Sequence, residues 1–184
     1  MLFVIFMICY FTAVACMQQT LAWFIMDRYG LGRQDAVAST GLIFGIMSVA
    51  MVLVQTFYVS RYKPRPTMML PRGIILVAAG YAFAIIHLPF WALCLGFAVV
   101  GVGSALVVPA LNAMGTLAVQ QHEQGGAAGL MAMAPPAGFV IGPLLGGALY
   151  MFHHDLPLMI SAVSMSALLI YALVRMREEP HAAA

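Results

Sequence analysis

Between Gly129 and Gly147 the chain reads GLMAMAPPAGFVIGPLLGG, apolar enough for a bilayer yet carrying glycine at 129, 138, 142, 146 and 147 and proline at 135, 136 and 143. In water this composition argues against a helix, since Gly costs about 1 kcal/mol and Pro about 3 kcal/mol relative to Ala. In lipid the balance reverses, because an unsatisfied backbone group costs several kcal/mol and helix is nearly the sole alternative. Ala134, Gly138, Gly142 and Gly146 recur every four residues and share one face. A ridge without side chains lets a neighbouring helix approach closely, which is how helices pack where lipid supplies no hydrophobic drive. Pro143 removes the hydrogen bond to the carbonyl of Phe139, so a bend is expected there. Gly129 falls on roughly the opposite face. The packing and conformational positions of this helix are Gly138, Gly142, Pro143, Gly146 and Gly147.

The rest of the chain agrees with a lipid setting. Of its 184 residues, 64% are apolar and 8% charged, with a mean hydropathy of +0.99. A soluble domain needs far more charge to cover its surface, so this is a polytopic membrane protein whose first partner is the lipid bilayer. A net charge of +2 gives no argument for nucleic acid. Cys9, Cys16 and Cys94 all lie in apolar runs, where an odd count suggests packing rather than disulfides or a metal site. Met1 leads straight into an apolar run without a basic flank, so no cleavable signal peptide is expected.

A span needs about 20 apolar residues to cross roughly 30 Å of hydrocarbon. Six segments qualify, at about residues 2–26, 41–59, 70–88, 90–119, 126–150 and 156–174. They form one all-α bundle over residues 1–176, followed by a short polar tail, 177–184. The third span is expected to run to about His87, entered through Pro71 and Arg72 and left at Pro89. An even number of spans puts both termini on one side. That side carries the basic loop Arg61, Lys63 and Arg65, then Arg72, Arg175 and Arg177, against Arg28 and Arg33 opposite. Basic residues favour the cytoplasmic side of short loops, so both termini are expected in the cytoplasm.

The spacing G-x8-G-x3-GP-x2-GG on Gly129, Gly138, Gly142, Pro143, Gly146 and Gly147 resembles the antiporter signature of the major facilitator superfamily. The full signature is typical of the fifth helix of drug–proton antiporters, and a GP-x2-GG echo is common in the eleventh. The fourth span (GVGSALVVPALNAMGTLAV) reads like the family's tenth helix. Residues Ser60 to Arg65 stand where the family places G-x-x-x-D-R-x-G-R-R, with Ser60 for the aspartate and Lys63 for the glycine. That degeneracy, and the lack of an arginine in span four, make the chain resemble the C-terminal six-helix half. The resemblance implies half of a facilitator fold, a 3+3 inverted repeat, partnered by a second six-helix bundle or a second copy. It implies efflux of a small hydrophobic substrate in a bacterial inner membrane, with no enzymatic activity and no cofactor. A truncated module that only assembles with a partner is the competing reading.

Residues able to carry chemistry are few. Asp27, Asp35, Glu123, Asp155, Glu178 and Glu179 fall in loops or at helix ends, whereas a carboxylate at mid-depth is the default proton relay of a transporter. Any titrating carboxylate is therefore expected in a partner bundle. Gln18, Gln19 and Asn112 are amides in apolar spans, and each needs a partner helix or a cavity. The resemblance implies that spans one and four line the central cavity, which makes Gln18, Gln19, Trp23 and Asn112 candidate substrate contacts, or else interhelical hydrogen bonds. Gln55, nearer a span end, reads as structural or gating. The many methionines and phenylalanines suit an adaptable apolar pocket, though most would simply face lipid or neighbours. His153, His154 and Asp155 are adjacent on a short loop, a poor metal-ligand spacing, and no metal site is expected. The glycines of GVGSAL (Gly101 to Leu106) signal helix packing, not nucleotide binding.

Overall fold

The computed structural model describes residues 2–86 and 88–178, and among these all regular structure is helical. Among the described residues, six helices are long and apolar enough to cross a bilayer. They are α1 (Leu2–Tyr29), α2 (Arg33–Tyr62), α3 (Pro66–Ile85), α4 (Phe90–Leu117), α5 (Gln121–Phe152) and α6 (Leu156–Glu178). At 1.5 Å per residue α1 and α4 are each about 42 Å long, enough to overshoot the hydrocarbon at both ends.

That overshoot explains where the helices outrun the hydropathy pattern. Helix α2 begins at Arg33, eight residues before the apolar run, because Arg33, Gln34 and Asp35 form a polar first turn. There Asp35 stands at the positive end of the helix dipole. Helix α3 starts at Pro66, which takes the first helical position, so Pro71 lies inside the helix instead of at its entrance. Proline at the first position loses nothing, since that N–H has no partner in the helix. Helix α6 continues to Glu178, so Arg177 is helical rather than the first residue of a tail. His87 and the remainder of the tail, 179–184, lie outside the described residues.

The main helix pairings obey an internal symmetry. Helix α1 packs on α5 and α6, and α4 packs on α2 and α3; α1 also meets α4, and α3 meets α6. Exchanging α1 with α4, α2 with α5 and α3 with α6 leaves this set unchanged. Such an exchange relates the first three helices to the last three with opposite direction in the membrane, an inverted repeat. Large buried side chains lie mainly on α1, α3 and α4, including Tyr10, Leu21, Tyr81, Phe97 and Leu111. By contrast α2 buries only Ala36 and Ile43 among its described residues.

Glycines set the closest approaches. A Cβ on Gly138 would stand 2.5 Å from the Cβ of Phe11, and one on Gly142 would stand 2.5 Å from that of Ala15. Gly146 faces the carbonyl of Cys16 at 2.6 Å by the same measure. The ridge read from the sequence is therefore the α1–α5 contact. Gly147 stands off it, with nothing within 4 Å of its Cβ position, because one further residue turns it about 100° around the helix. Between α3 and α4, Gly73 meets Gly103 and Gly80 meets Gly96 across two helix turns, and Gly101 faces the carbonyl of Met47 on α2. The GVGSAL glycines thus seat α4 against α2 and α3.

Candidate functional site

The two central helices are tied where they cross. The Tyr10 hydroxyl donates to Ser104 Oγ at 2.9 Å, and the Ser104 hydroxyl donates to the Val100 carbonyl at 2.8 Å. A phenol buried in the middle of an apolar helix needs such a partner. Neither residue stands out in the sequence, since serine in a glycine-rich run reads as a small packing residue.

The amides lie to either side of this tie. Gln19 and Asn112 are exposed and Gln18 is half-buried. Among the described residues, none of the three amide groups forms a hydrogen bond within the chain. Gln19 is nine residues beyond Tyr10 and Asn112 eight beyond Ser104, and α1 and α4 run in opposite directions. Along the axes they therefore lie about 25 Å apart, measured from the tie at 1.5 Å per residue. Gln18, Gln19 and Trp23 occupy the half of α1 that ends at Tyr29, and Asn112 sits near the opposite end of the bundle. Gln55 falls in the π-helical turn Val54–Val59 of α2, a geometry that often marks functional positions in helices.

Around Trp23 the structure assembles a cluster that spacing alone does not reveal. Helices α1 and α5 are parallel, and one register of 127 residues relates Phe11 to Gly138, Ala15 to Gly142, Trp23 to Tyr150 and Asp27 to His154. The Trp23 and Tyr150 rings are 5.7 Å apart. The Tyr150 hydroxyl donates to Asp27 Oδ2, and His154 Nδ1 lies 3.3 Å from the same oxygen. Trp23, Asp27, Gly147 and Tyr150 line an open groove of about 450 Å³. Asp27 thus has two partners from α5 and the loop after it, at the end of the span and not at mid-depth. Among the described residues, no three of His, Cys, Asp and Glu come together as a metal site would require.

Arg28, next to Asp27, points the other way. Its two terminal nitrogens donate to the carbonyls of Ala84 at 2.6 Å and Ile85 at 2.9 Å, and its guanidinium lies 4.9 Å from the Phe24 ring centroid. The last carbonyls of a helix have no partner within it and carry the negative end of its dipole. A planar fork suits two adjacent acceptors, so Arg28 caps α3. Tyr29 adds a hydrogen bond to the Leu88 carbonyl at 3.0 Å.

At the opposite end, Arg61, Lys63 and Arg65 are all exposed. Lys63 closes α2 with φ 41°, a left-handed conformation, and its N–H reaches the Val59 carbonyl at 3.0 Å. This is the position at which the facilitator loop motif has glycine.

Over 103 residues the chain is 34% identical to Multidrug resistance protein MdtH of Klebsiella pneumoniae (strain 342), a match covering 55% of this chain and 24% of that protein. The matched stretch is thus about a quarter of the length of that relative. Among solved structures, the chain is similar to a mutant of the peptide transporter POT in complex with alafosfalin. The TM-score is 0.80 and the identity 18%, over 97% of this chain and 38% of that one, which is a likeness of fold. Residues 61–184 match the sequence profile of the Major Facilitator Superfamily. With that match over more than half of its length, on six spans paired as two inverted triplets, the chain belongs to the Major Facilitator Superfamily.

Proposed function

We propose that this chain is one six-helix bundle of a facilitator-type efflux carrier, similar to a C-terminal half, which rocks against a second bundle to move small hydrophobic molecules. The observation that carries this reading is that α2 and α5 are the two least-buried helices. They are mates in the inverted repeat and are not packed on each other. The Cβ positions of Gly41 and Gly45 on α2, and of Gly129 and Gly147 on α5, have nothing within 4 Å. Small residues on a lipid-exposed face are what a second helix bundle requires. Efflux of drug-like compounds rests on the likeness to a multidrug resistance protein. Substrate contacts are assigned to Gln18, Gln19 and Trp23 on one side of the Tyr10–Ser104 tie and Asn112 on the other. A midplane carboxylate would come from the partner bundle, since the acidic residues among those described stand at helix ends or in loops.

The proposed orientation has both termini in the cytoplasm of a bacterial inner membrane. Exposed Arg61, Lys63 and Arg65 support it. On the other side, Arg28 is committed to the end of α3.

A second reading is a module that assembles with a partner bundle but does not transport alone, and the open faces of α2 and α5 favour it equally. Reconstitution separates the two. The purified chain in proteoliposomes is loaded with a fluorescent hydrophobic cation, and efflux is followed with and without a pH gradient. Efflux faster than from empty liposomes supports a self-sufficient carrier. Efflux at the rate of empty liposomes selects the assembling module.

A further inference from the structure

Helices α5 and α6 both lean on α1 but have little contact with each other, and between them opens a groove of about 530 Å³. Its floor includes Cys9 and Thr12 of α1, and its walls include Ile141 and Leu145 of α5 with Ser164 and Leu168 of α6. The volume falls within the range of small-molecule pockets, about 300–1,000 Å³. The walls are apolar, yet the hydroxyl-bearing residues Thr12 and Ser164 line the groove. Both are half-buried, and their hydroxyls make no hydrogen bond among the described residues. Nearby Ser161 behaves differently, its hydroxyl lying within reach of the carbonyls of Ala13 at 2.9 Å and Pro157 at 2.7 Å.

Depth decides what can satisfy those hydroxyls. Thr12 lies within about 5 Å of the midpoint of α1, and Ser164 within about 2 Å of the midpoint of the apolar part of α6. The polar groups of a phospholipid sit about 10–15 Å away, at the edge of the hydrocarbon. An acyl chain reaches the groove but offers no hydrogen bond. A compact apolar molecule with an acceptor in its body meets both requirements.

We propose that the α1–α5–α6 groove is a binding site, entered from the lipid, for small lipophilic molecules that carry a carbonyl-type acceptor, which the hydroxyls of Thr12 and Ser164 engage. Binding here does not depend on transport, so the inference stands apart from the proposed function.

Benzophenone is a suitable probe, being a lipophilic ketone that inserts into nearby C–H bonds on irradiation. The full chain in nanodiscs is irradiated with it and the adducts are mapped by peptide mass spectrometry. Adducts are expected to concentrate on residues 9–16 and 160–168. Fluorenone should suppress them, while fluorene, the same shape without the ketone, should compete about fivefold less well. The Thr12→Val/Ser164→Ala double variant should lose labelling by about fivefold or more. In parallel, fluorenone should slow alkylation of Cys9 by N-ethylmaleimide in the parent chain. Ser164→Ala alone, whose fold is checked by circular dichroism, should show less of that protection. Labelling spread evenly over lipid-facing helices overturns the proposal. So does equal competition by fluorene, which would leave hydrocarbon such as an acyl chain as the occupant. Absence of Cys9 protection in the parent chain overturns it as well.

Discussion

The hydroxyl of Tyr10 donates to Ser104, and the Ser104 hydroxyl in turn donates to the carbonyl of Val100. This chain of two hydrogen bonds makes the pair unequal. In Tyr10→Phe, Ser104 keeps its carbonyl partner and an apolar ring replaces the phenol, so the loss is one net hydrogen bond, about 1 kcal/mol. In Ser104→Ala, the buried Tyr10 hydroxyl is left without an acceptor, a penalty of about 1–3 kcal/mol. Thermal unfolding in detergent should therefore rank Ser104→Ala below Tyr10→Phe, although the serine is the smaller group. The reverse order would mean that the tie contributes little and that ring packing dominates.

The glycine ridge of α5 gives a second ordered pair. At Gly142 an added Cβ meets Ala15 Cβ at 2.5 Å, the Thr12 carbonyl oxygen at 2.8 Å and the Cys16 nitrogen at 2.9 Å. Two of these are backbone atoms that cannot swing aside, so α1 and α5 must separate. Gly142→Ala should lower stability by about 1–3 kcal/mol, the scale of overpacking, and Gly142→Leu should reduce folded yield further. Gly147→Ala meets open space and removes a glycine from a helix, so it should be neutral or stabilising by up to about 1 kcal/mol. Equal tolerance at both positions, measured by size-exclusion profile and melting temperature, would count against close packing.

The contrast between Gly142 and Gly147 also marks what the sequence could and could not say. Period-four spacing isolates Ala134, Gly138, Gly142 and Gly146 as one face, because 3.6 residues per turn is a local property. Six spans are legible for a similar reason, since twenty apolar residues signal a crossing whatever their neighbours. Which helix the ridge meets is not local. Nothing in the α1 sequence says that Phe11 and Ala15 lie in register with Gly138 and Gly142. Asp27, Tyr150 and His154 are consequently invisible as a group until that register is known. The helix ends around Arg33 and Pro66 escaped for another reason: hydropathy measures lipid contact, while polar first turns continue the helix into water.

Lys63 offers a stabilising prediction. With φ 41° it holds a conformation that glycine adopts freely and other residues do not. Its side chain is exposed, and its N–H bond to Val59 involves only backbone. Lys63→Gly should therefore raise stability by about 1 kcal/mol, the lower end of the strain of a non-glycine residue in this region. The gain should appear as a higher melting temperature in detergent. A loss of stability would indicate that the Lys63 side chain, not its backbone, anchors the α2–α3 loop.

Gln19 and Asn112 supply the last test, because their placement bears on what a substrate can touch. They leave the Tyr10–Ser104 tie in opposite directions and lie about 25 Å apart along the helices. One compact molecule cannot bridge them. If each contacts substrate, it does so at a different stage of passage or at opposite ends of an elongated ligand. For a compact cation, Gln19→Leu and Asn112→Leu should then act independently on efflux measured in proteoliposomes, with the partner bundle present if transport requires it. Converted to free energies, the two effects should add to within about 0.5 kcal/mol in the double variant, as separated sites do. A coupling well above that value would mean that both amides grip one bound molecule. The bundle would then have to reshape around the tie to bring them together.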